Sequence, residues 1–190
     1  MQARHRLRHL RVIEHERERP PGRRLRHEAQ RNLVECDNRA REDAGIVAAP
    51  NFSTGVILFE ALAARAASLF AAHQEFGAWL NEAHHSTKKD APSGTALMLK
   101  RAMERAGYTR PIDVSSVRAG FIPGVHTVGF DGPADTITLT HTARDRSAFA
   151  RGALLAARWV KGKRGWFNMH DVLGLDKVDW RETTEVRSQK

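Results

Sequence analysis

The stretch EAHHSTKKDAPSGTA, from Glu82 to Ala96, gathers two histidines, two lysines and an aspartate just before a Pro-Ser-Gly-Thr turn. Polar side chains at this density rarely serve a protein core, so the stretch indicates a binding or catalytic site. The preceding segment GAWLNEAHH is a strand candidate in which Trp79 can face a core, and residues 94–106 follow with amphipathic helical spacing, closed by Gly107. The stretch is therefore predicted to join a strand to a helix, as in α/β proteins.

The turn after Pro92 is predicted to bind an anion. Ser93 stands where a helix N-cap is expected, and the free backbone N–H groups at a helix start attract negative charge. Gly94 would let the anion approach the backbone closely. We expect a small dianionic molecule rather than a metal, because His84 and His85 are neighbours on a strand end and point to opposite sides. The loop would add cationic donors from Lys88 and Lys89.

The segments before the stretch read as one strand–turn–helix step. GIVAAP, from Gly45, predicts a buried strand that ends at Pro50. The segment TGVILFEALAARAASLFAAH predicts a helix capped by Ser53 or Thr54. Its apolar face is predicted from helical spacing to comprise Val56, Leu58, Phe59, Leu62, Ala66 and Phe70.

The segments after the stretch read as strands and hairpins followed by a third helix. In TITLTHTA, Ile137, Leu139 and His141 alternate with threonines, which predicts a strand with these three residues on one face. The segment DRSAFARGALLAARWVKG predicts a helix capped by Asp145 or Ser147. Its apolar side is predicted to comprise Phe149, Leu154, Leu155 and Trp159.

Charge and composition limit the class of protein. The formal net charge is +9, but much of the excess comes from residues 1–43, which are rich in arginine and contain no lysine. This region predicts a charged helix broken at Pro20-Pro21, or disorder. Its pattern disfavours a nucleic-acid-binding role, because no aromatic residue interleaves with the arginines. No apolar run approaches the ~20 residues of a membrane span, and no secretory signal is evident. The single cysteine, Cys36, fits a cytoplasmic protein.

The stretch resembles the signature of the 4-hydroxy-tetrahydrodipicolinate reductase (dihydrodipicolinate reductase) family of the diaminopimelate and lysine pathway. That signature is Glu-x-His-His-x-x-x-Lys-x-Asp-x-Pro-Ser-Gly-Thr-Ala, and every fixed position is matched. VAAPNFSTGV resembles the family's domain junction, and GWFNMHDVLGL its closing segment, so the similarity covers about residues 44–175. The resemblance implies an α/β protein: an α+β substrate domain, with a mixed sheet and flanking helices, plus a remnant of a Rossmann cofactor domain.

The resemblance also implies an activity and a set of site residues. The family reduces a cyclic dicarboxylate with NADPH or NADH and forms homotetramers through the sheet of its substrate domain. Carried over by position, His84 matches the proposed proton donor and Lys88 a second proposed acid. Substrate-binding positions match His85, Ser93, Gly94 and Thr95. Cofactor positions match Ala49, Pro50, Asn51, Phe52, Arg146 and Phe149.

The chain departs from the family pattern in its first third. The family's strand, G-x-x-G-x-x-G turn and helix are missing; residues 1–43 hold one glycine, Gly22, and no predicted strand before it. We expect a non-homologous or disordered segment 1–43, the last cofactor-domain strand and junction at 44–53, a substrate and oligomerisation domain at 54–145, a closing helix and return at 146–175, and a polar tail at 176–190.

Three interpretations of this departure are open. The first is a truncated or mis-started reductase with impaired cofactor binding, for which we predict weak or no turnover. The second is a non-catalytic dicarboxylate-binding or oligomerisation fragment. The third, and the least favoured, is a nucleic-acid-binding protein that acts through its arginine-rich arm.

Overall fold

The structure, a computed structural model, describes residues 12–14 and 44–177. Most of the arginine-rich region and the tail beyond residue 177 lie outside the described residues, and so do the predictions made for them. Val12–Glu14 form strand β1, where the sequence predicted a helix or disorder and no strand. Val12 and Ile13 are β-branched, and β1 pairs in parallel with the following strand, a partner that local sequence patterns do not reveal.

The remaining elements follow the predicted order of strands and helices. They are β2 (Gly45–Ala49), α1 (Thr54–Phe70), β3 (Gly77–His84), α2 (Gly94–Arg105), β4 (Ile112–Arg118), β5 (Val125–Asp131), β6 (Thr136–Thr142), α3 (Ser147–Trp159), β7 (Gly165–Phe167), α4 (Met169–Leu173) and a 3₁₀ turn (Leu175–Lys177). In the part of the chain that is described, no helix has the length and apolar character needed to span a membrane.

The larger sheet has four strands in the order β4-β3-β5-β6. β3 and β4 run in parallel, whereas β5 is antiparallel to both β3 and β6. The predicted mixed sheet with flanking helices is therefore confirmed. Its register places Glu82 beside His126 and His126 beside His141, so these three residues form a row across β3, β5 and β6.

One face of this sheet packs against α1 and α2. Leu80, Val128 and Phe130 from the strands meet Phe59 and Met103 from the helices in a fully buried cluster. Trp79, predicted to face a core, lies on the opposite face, where it covers Gly129 so closely that an added Cβ would lie 2.2 Å from the indole. Because strand side chains alternate, Trp79 cannot share the face of Leu80.

The apolar face predicted for α1 is partly wrong. Leu58 and Leu62 are exposed, whereas Ile57, Glu60, Ala63 and Ala67 are buried. The reason is that α1 serves two cores: Phe59 belongs to the cluster on the four-stranded sheet, while Ile57 belongs to a second cluster. Spacing within one helix cannot reveal how many neighbours the helix will have.

The second cluster lies around the three-stranded parallel sheet β1-β2-β7. Val47 and Phe52 pack there against residues of α3 and α4, among them Ala156 and Met169. The contact between α3 and the β2–α1 junction is very close, because a Cβ added to Gly152 would lie 1.6 Å from the Phe52 carbonyl oxygen. This close approach fixes which side of α3 faces inward.

The prediction for α3 is therefore wrong in detail. Leu154 and Leu155 are exposed, and the buried residues are Gly152 and Ala156. The N-cap is Arg146, which makes no capping hydrogen bond through its side chain. The Asp145 carboxylate instead accepts a hydrogen bond from the Ser147 backbone N–H, at 2.7 Å. Small residues on the inner side of α3 allow it to pack closely against the β2–α1 junction. The hydrophobic pattern instead predicts that the larger leucines are buried.

Candidate functional site

The predicted anion-binding turn has the geometry of a capped and accessible helix start. Ser93 is the N-cap of α2, and its hydroxyl oxygen accepts a hydrogen bond from the Ala96 N–H at 3.1 Å. Gly94, the first helical residue, is exposed, and a Cβ added there would meet no atom within 4 Å. The open space beside the helix start can admit an anion.

A fully buried carboxylate lies beneath this turn, on β3. Glu82 accepts two hydrogen bonds from the Arg118 guanidinium, at 2.6 and 2.9 Å, and one from the Ser93 N–H at 3.2 Å. Burial alone would raise the pKa of Glu82, but the hydrogen bonds, led by those from Arg118, lower it to about 2. Glu82 is therefore ionised at neutral pH, and it links β3, β4 and the start of α2.

His84 lies two residues further along the same face of β3 and contacts this carboxylate. Its Nδ1 forms a short hydrogen bond to Glu82 Oε2. Burial lowers the pKa of His84 more than Glu82 raises it, and the positive charges of Lys88 and Arg118 lower it further. In the free protein, His84 is therefore neutral at neutral pH.

Two further histidines continue this row into β5 and β6. His126 is buried, its ring lies edge-on to His84 at 5.0 Å, and its Nε2 is 3.2 Å from the Ser93 hydroxyl. Burial, followed by the charge of His84, lowers the pKa of His126 to about 4, so this ring is neutral. Burial also lowers the pKa of His141. The row is thus mainly uncharged apart from Glu82.

The arrangement does not favour a metal ion, although one geometric requirement is met. Glu82, His84 and His126 each offer a ligand atom, and these atoms lie within 4.8 Å of one another. Both carboxylate oxygens of Glu82 already accept hydrogen bonds from Arg118. A cation would have to compete with that guanidinium at close range, which is electrostatically unfavourable.

The loop between β3 and α2 carries the other predicted polar residues. Lys88 forms an ion pair with Asp90 through Nζ and Oδ1, at 2.7 Å. His85 Nδ1 lies 2.7 Å from the Thr87 hydroxyl. Lys89 is exposed. Of the two lysines, Lys88 is the one engaged with a carboxylate at the helix start.

The segment from Ala49 to Phe52 adjoins the same helix start through one contact. The Asn51 amide donates a weak hydrogen bond to the Thr95 hydroxyl, at 3.4 Å, and its carbonyl oxygen accepts one from the Ser53 N–H at 2.8 Å. The Phe52 side chain is buried in the second cluster, whereas Pro50 is exposed. A cofactor could therefore meet Pro50 and the backbone of this segment, but not the face of the Phe52 ring.

The remaining two predicted cofactor residues lie at the start of α3. The Arg146 guanidinium lies 5.8 Å from the centre of the Phe149 ring. Phe149 is half-buried and Arg146 is exposed. This pair offers a positive charge beside an aromatic face, a combination that suits a phosphate or an aromatic ring of a nucleotide.

Sequence reasoning assigned no role to Glu82, Arg118 or His126. A signal for Glu82 was present, because a strand places residues two apart on one face and so puts Glu82 beside His84. His126 and Arg118 lie on other strands, and only the register of the sheet brings them to Glu82. No spacing in the linear sequence marks those two residues.

Comparisons with known proteins point to one family. Residues 55–173 match the family model described as dihydrodipicolinate reductase, C-terminus. Relatives named 4-hydroxy-tetrahydrodipicolinate reductase include one from Rhodopseudomonas palustris (strain TIE-1), 43% identical over 71% of this chain and 56% of the relative. Another, from Caulobacter vibrioides, is 44% identical over 70% of this chain and 59% of the relative. The chain thus spans little more than half the length of these relatives.

A solved structure shows the same fold. It is described as dipicolinate-bound dihydrodipicolinate reductase from Paenisporosarcina sp. TG-14. Its TM-score is 0.62 at 24% identity, with 73% of this chain and 58% of the other covered.

Proposed function

Because the chain belongs to the dihydrodipicolinate reductase family, we propose that it forms the substrate half of a 4-hydroxy-tetrahydrodipicolinate reductase. The proposed reaction is the reduction of a cyclic dicarboxylate to tetrahydrodipicolinate, in the cytoplasm, with NADPH or NADH, the cofactors of the family. The residues available to meet a nicotinamide are Pro50 and the backbone around Asn51, with Arg146 and Phe149 as further candidates. The 190-residue chain is expected to turn over weakly or not at all, because residues 1–43 hold no G-x-x-G-x-x-G turn for a pyrophosphate.

One observation carries this proposal: the helix start already holds a carboxylate. Lys88 contacts the Asp90 carboxylate at 2.7 Å. Burial would raise the pKa of Asp90, but Lys88, and after it the backbone N–H groups of Asp90 and Gly94, lower it. Asp90 thus uses the lysine and the N–H donors that a substrate carboxylate would use. The space above Gly94 leaves room for a ligand to approach them.

The proposed roles of the site residues follow from their charges. A bound nicotinamide would supply the hydride. The backbone at Gly94 and the hydroxyl of Thr95 would hold one carboxylate of the ring, and Lys88 would offset its charge. His84 is neutral in the free protein, and a bound dianion would favour its protonated form, so the acid would form where it is needed.

The decisive experiment is calorimetric titration of the purified chain with dipicolinate, a flat cyclic dicarboxylate. Lys88→Met should weaken binding by roughly tenfold or more, because a charge-assisted contact is lost. Lys89→Met is the matched control, since the Lys89 side chain is exposed, and it should bind like the wild type. Equal affinities for the two variants, or no wild-type binding near ~1 mM dipicolinate, would overturn the proposal.

A second role, assembly of a homotetramer, is proposed from the outer face of the four-stranded sheet. This face carries Trp79, Thr127 and Thr140, whose hydroxyls lie 3.1 Å apart, and the exposed Val117. The packed helices α1 and α2 lie on the other face. A sheet face with aromatic, threonine and valine side chains suits pairing with a second copy.

Equilibrium sedimentation would test the assembly. Val117→Arg should lower the association state, because a charge would be placed on the proposed interface. Phe121→Arg is the control, since Phe121 is an almost fully exposed apolar residue on the loop after β4. A monomeric wild type would refute tetramer formation while leaving the dicarboxylate proposal intact.

A further inference from the structure

The Glu82–Arg118 pair lies where it can control the state of His84. Glu82 is fully buried, and its carboxylate contacts four donor groups: Arg118, the Ser93 N–H, His84 Nδ1 and the Ser116 side chain. Burying an ion pair costs desolvation energy, and a pair of apolar residues would often serve stability as well. Packing alone therefore does not explain why this ion pair is buried here. The direct contact of Glu82 with His84, the proposed acid, indicates a functional role for the pair.

We propose that Glu82, held by Arg118, is a positioning residue that keeps the hydrogen of neutral His84 on Nδ1 and leaves Nε2 to gain and deliver the proton. The inference rests on the proposed function for what His84 acts on. Its chemical basis is independent of that function: an ionised carboxylate can only accept hydrogen bonds, so the ring nitrogen that faces it must carry the hydrogen. The opposite nitrogen is then the basic one.

The surroundings of Nε2 agree with this assignment. The His84 side chain keeps 11% of its surface exposed, and its Nε2 has no hydrogen-bond partner within residues 44–177. Gly124 lies directly beside it, since an added Cβ would be 3.2 Å from Nε2. Gly124 also has φ +147°, a conformation that L side chains rarely adopt. A glycine at this position keeps the reactive side of the imidazole clear.

The charged and titratable groups around His84 leave Glu82 as its main stabilising partner. Lys88 on the loop and Arg118 on β4 disfavour a second proton on the ring, and His126 on β5 is neutral. The Asp90 carboxylate is paired with Lys88. Glu82 is the group that favours the imidazolium, and it does so from the Nδ1 side. Any proton exchange with a ligand then takes place at Nε2.

The chain contains a matched trio for comparison, Glu60, His170 and Arg105. Glu60 is also buried and contacts His170 Nε2 at 3.2 Å, but Arg105 reaches it with a single contact at 3.5 Å and is 67% exposed. A Glu→Gln change can therefore be made at a second buried glutamate that contacts a histidine. Within residues 44–177, the side-chain contacts of Glu60 are to His170 and Arg105, and none is to His84 or to the Ser93–Gly94 turn.

The test is long-range ¹H–¹⁵N NMR of the histidine rings in the ligand-free 190-residue chain. In the wild type, His84 should be at least roughly tenfold enriched in the tautomer with hydrogen on Nδ1, since that hydrogen bond is charge-assisted. In Glu82→Gln, the single amide oxygen must satisfy Arg118, so the amide NH₂ is expected to face His84. The population should then shift toward the Nε2–H tautomer, and the measured pKa of His84 should fall.

The controls separate positioning from loss of structure. Glu60→Gln should leave the His84 tautomer and pKa unchanged. The double variant Glu82→Gln with Arg118→Met removes both charges, and its His84 pKa should also lie below the wild-type value. A wild-type His84 protonated on Nε2, or Glu82→Gln spectra that match the wild type, would overturn the inference. The tautomer of His84 in the wild type tests the inference by itself, even if a variant fails to fold.

Titration with dipicolinate distinguishes failure of this inference from failure of the proposed function. Dipicolinate should raise the pKa of His84 in the wild-type chain and less so in Glu82→Gln. If the wild type does not bind dipicolinate, the proposed function fails, whereas the tautomer result stands. If dipicolinate binds but His84 carries its hydrogen on Nε2, the positioning role fails alone.

Discussion

Replacing Arg118 by methionine should destabilise the fold much more than most single changes on a sheet surface. The substitution keeps an unbranched side chain of similar length but removes the guanidinium that holds both oxygens of Glu82. The Glu82 carboxylate is fully buried, and it would keep only neutral donors: the Ser93 N–H, His84 and the Ser116 hydroxyl. A buried charge without its counterion is among the most costly features in a protein.

The size of the effect can be estimated from the pKa of Glu82. Its fall from 4.5 to about 2 corresponds to about 3 kcal/mol, at 1.36 kcal/mol per unit, and Arg118 is the leading cause of that fall. Breaking a buried ion pair by removing one partner typically costs about 3–5 kcal/mol, which agrees. For a chain of this size, we expect a loss of roughly 10 °C in melting temperature.

Thermal and urea denaturation of wild type and Arg118→Met at pH 7 would measure this loss. Arg105→Met is the matched control, because Arg105 contacts buried Glu60 from a mainly exposed position, and it should cost less than about 1 kcal/mol. Adding Glu82→Gln to Arg118→Met should recover part of the loss, since no buried charge remains. A loss below about 1 kcal/mol for Arg118→Met would refute the reasoning.

Three further predictions concern the same region. Ionised Glu82 stabilises the fold fully above about pH 4.5, because its pKa is lowered from 4.5 to about 2 on folding, and this contribution should be lost as the pH falls toward 2. Urea denaturation midpoints measured over this pH range should fall less steeply for Glu82→Gln than for the wild type. Equal slopes for the two proteins would contradict this prediction. Gly152→Ala should lower the free energy of unfolding, measured in urea, by about 3 kcal/mol or more, because the added Cβ would meet the Phe52 carbonyl oxygen. Gly94→Ala should leave stability unchanged and weaken dipicolinate binding, because its added Cβ would lie in open space. Equal stability losses for the two variants would contradict the packing described. Ser93→Ala should lower stability by about 1 kcal/mol through loss of the α2 cap, measured by the same method, and no loss would show that the cap is replaceable.

Local sequence determined much of the secondary structure around the site. The Ser93 cap, the helix that follows it and the strand ending at His84 were predicted from spacing and capping chemistry, and the structure confirms them. The alternation in TITLTHTA placed Leu139 and His141 on the inner face of β6, as the register across to Val128 and His126 shows. These features depend on neighbours within a few residues, so a linear pattern contains them.

The failed predictions concern distant neighbours. The inward side of α3 is set by contact between Gly152 and the Phe52 carbonyl, and the exposed leucines of α1 reflect two cores meeting one helix. Strand β1 depends on the edge of β2, which lies more than thirty residues further along the chain. Helical periodicity describes the face of one element and carries no information about which elements will cover it.

The sequence by itself predicted which polar groups would bind a dicarboxylate: Lys88, the glycine at the helix start and the adjacent histidine. Only the tertiary structure decided how that histidine is held. Parallel pairing of β3 with β4 brings Arg118 to Glu82 across 36 residues, and antiparallel pairing with β5 brings His126 to the same point. The physical reason is that register aligns side chains across strands, and burial then makes their charges interact strongly.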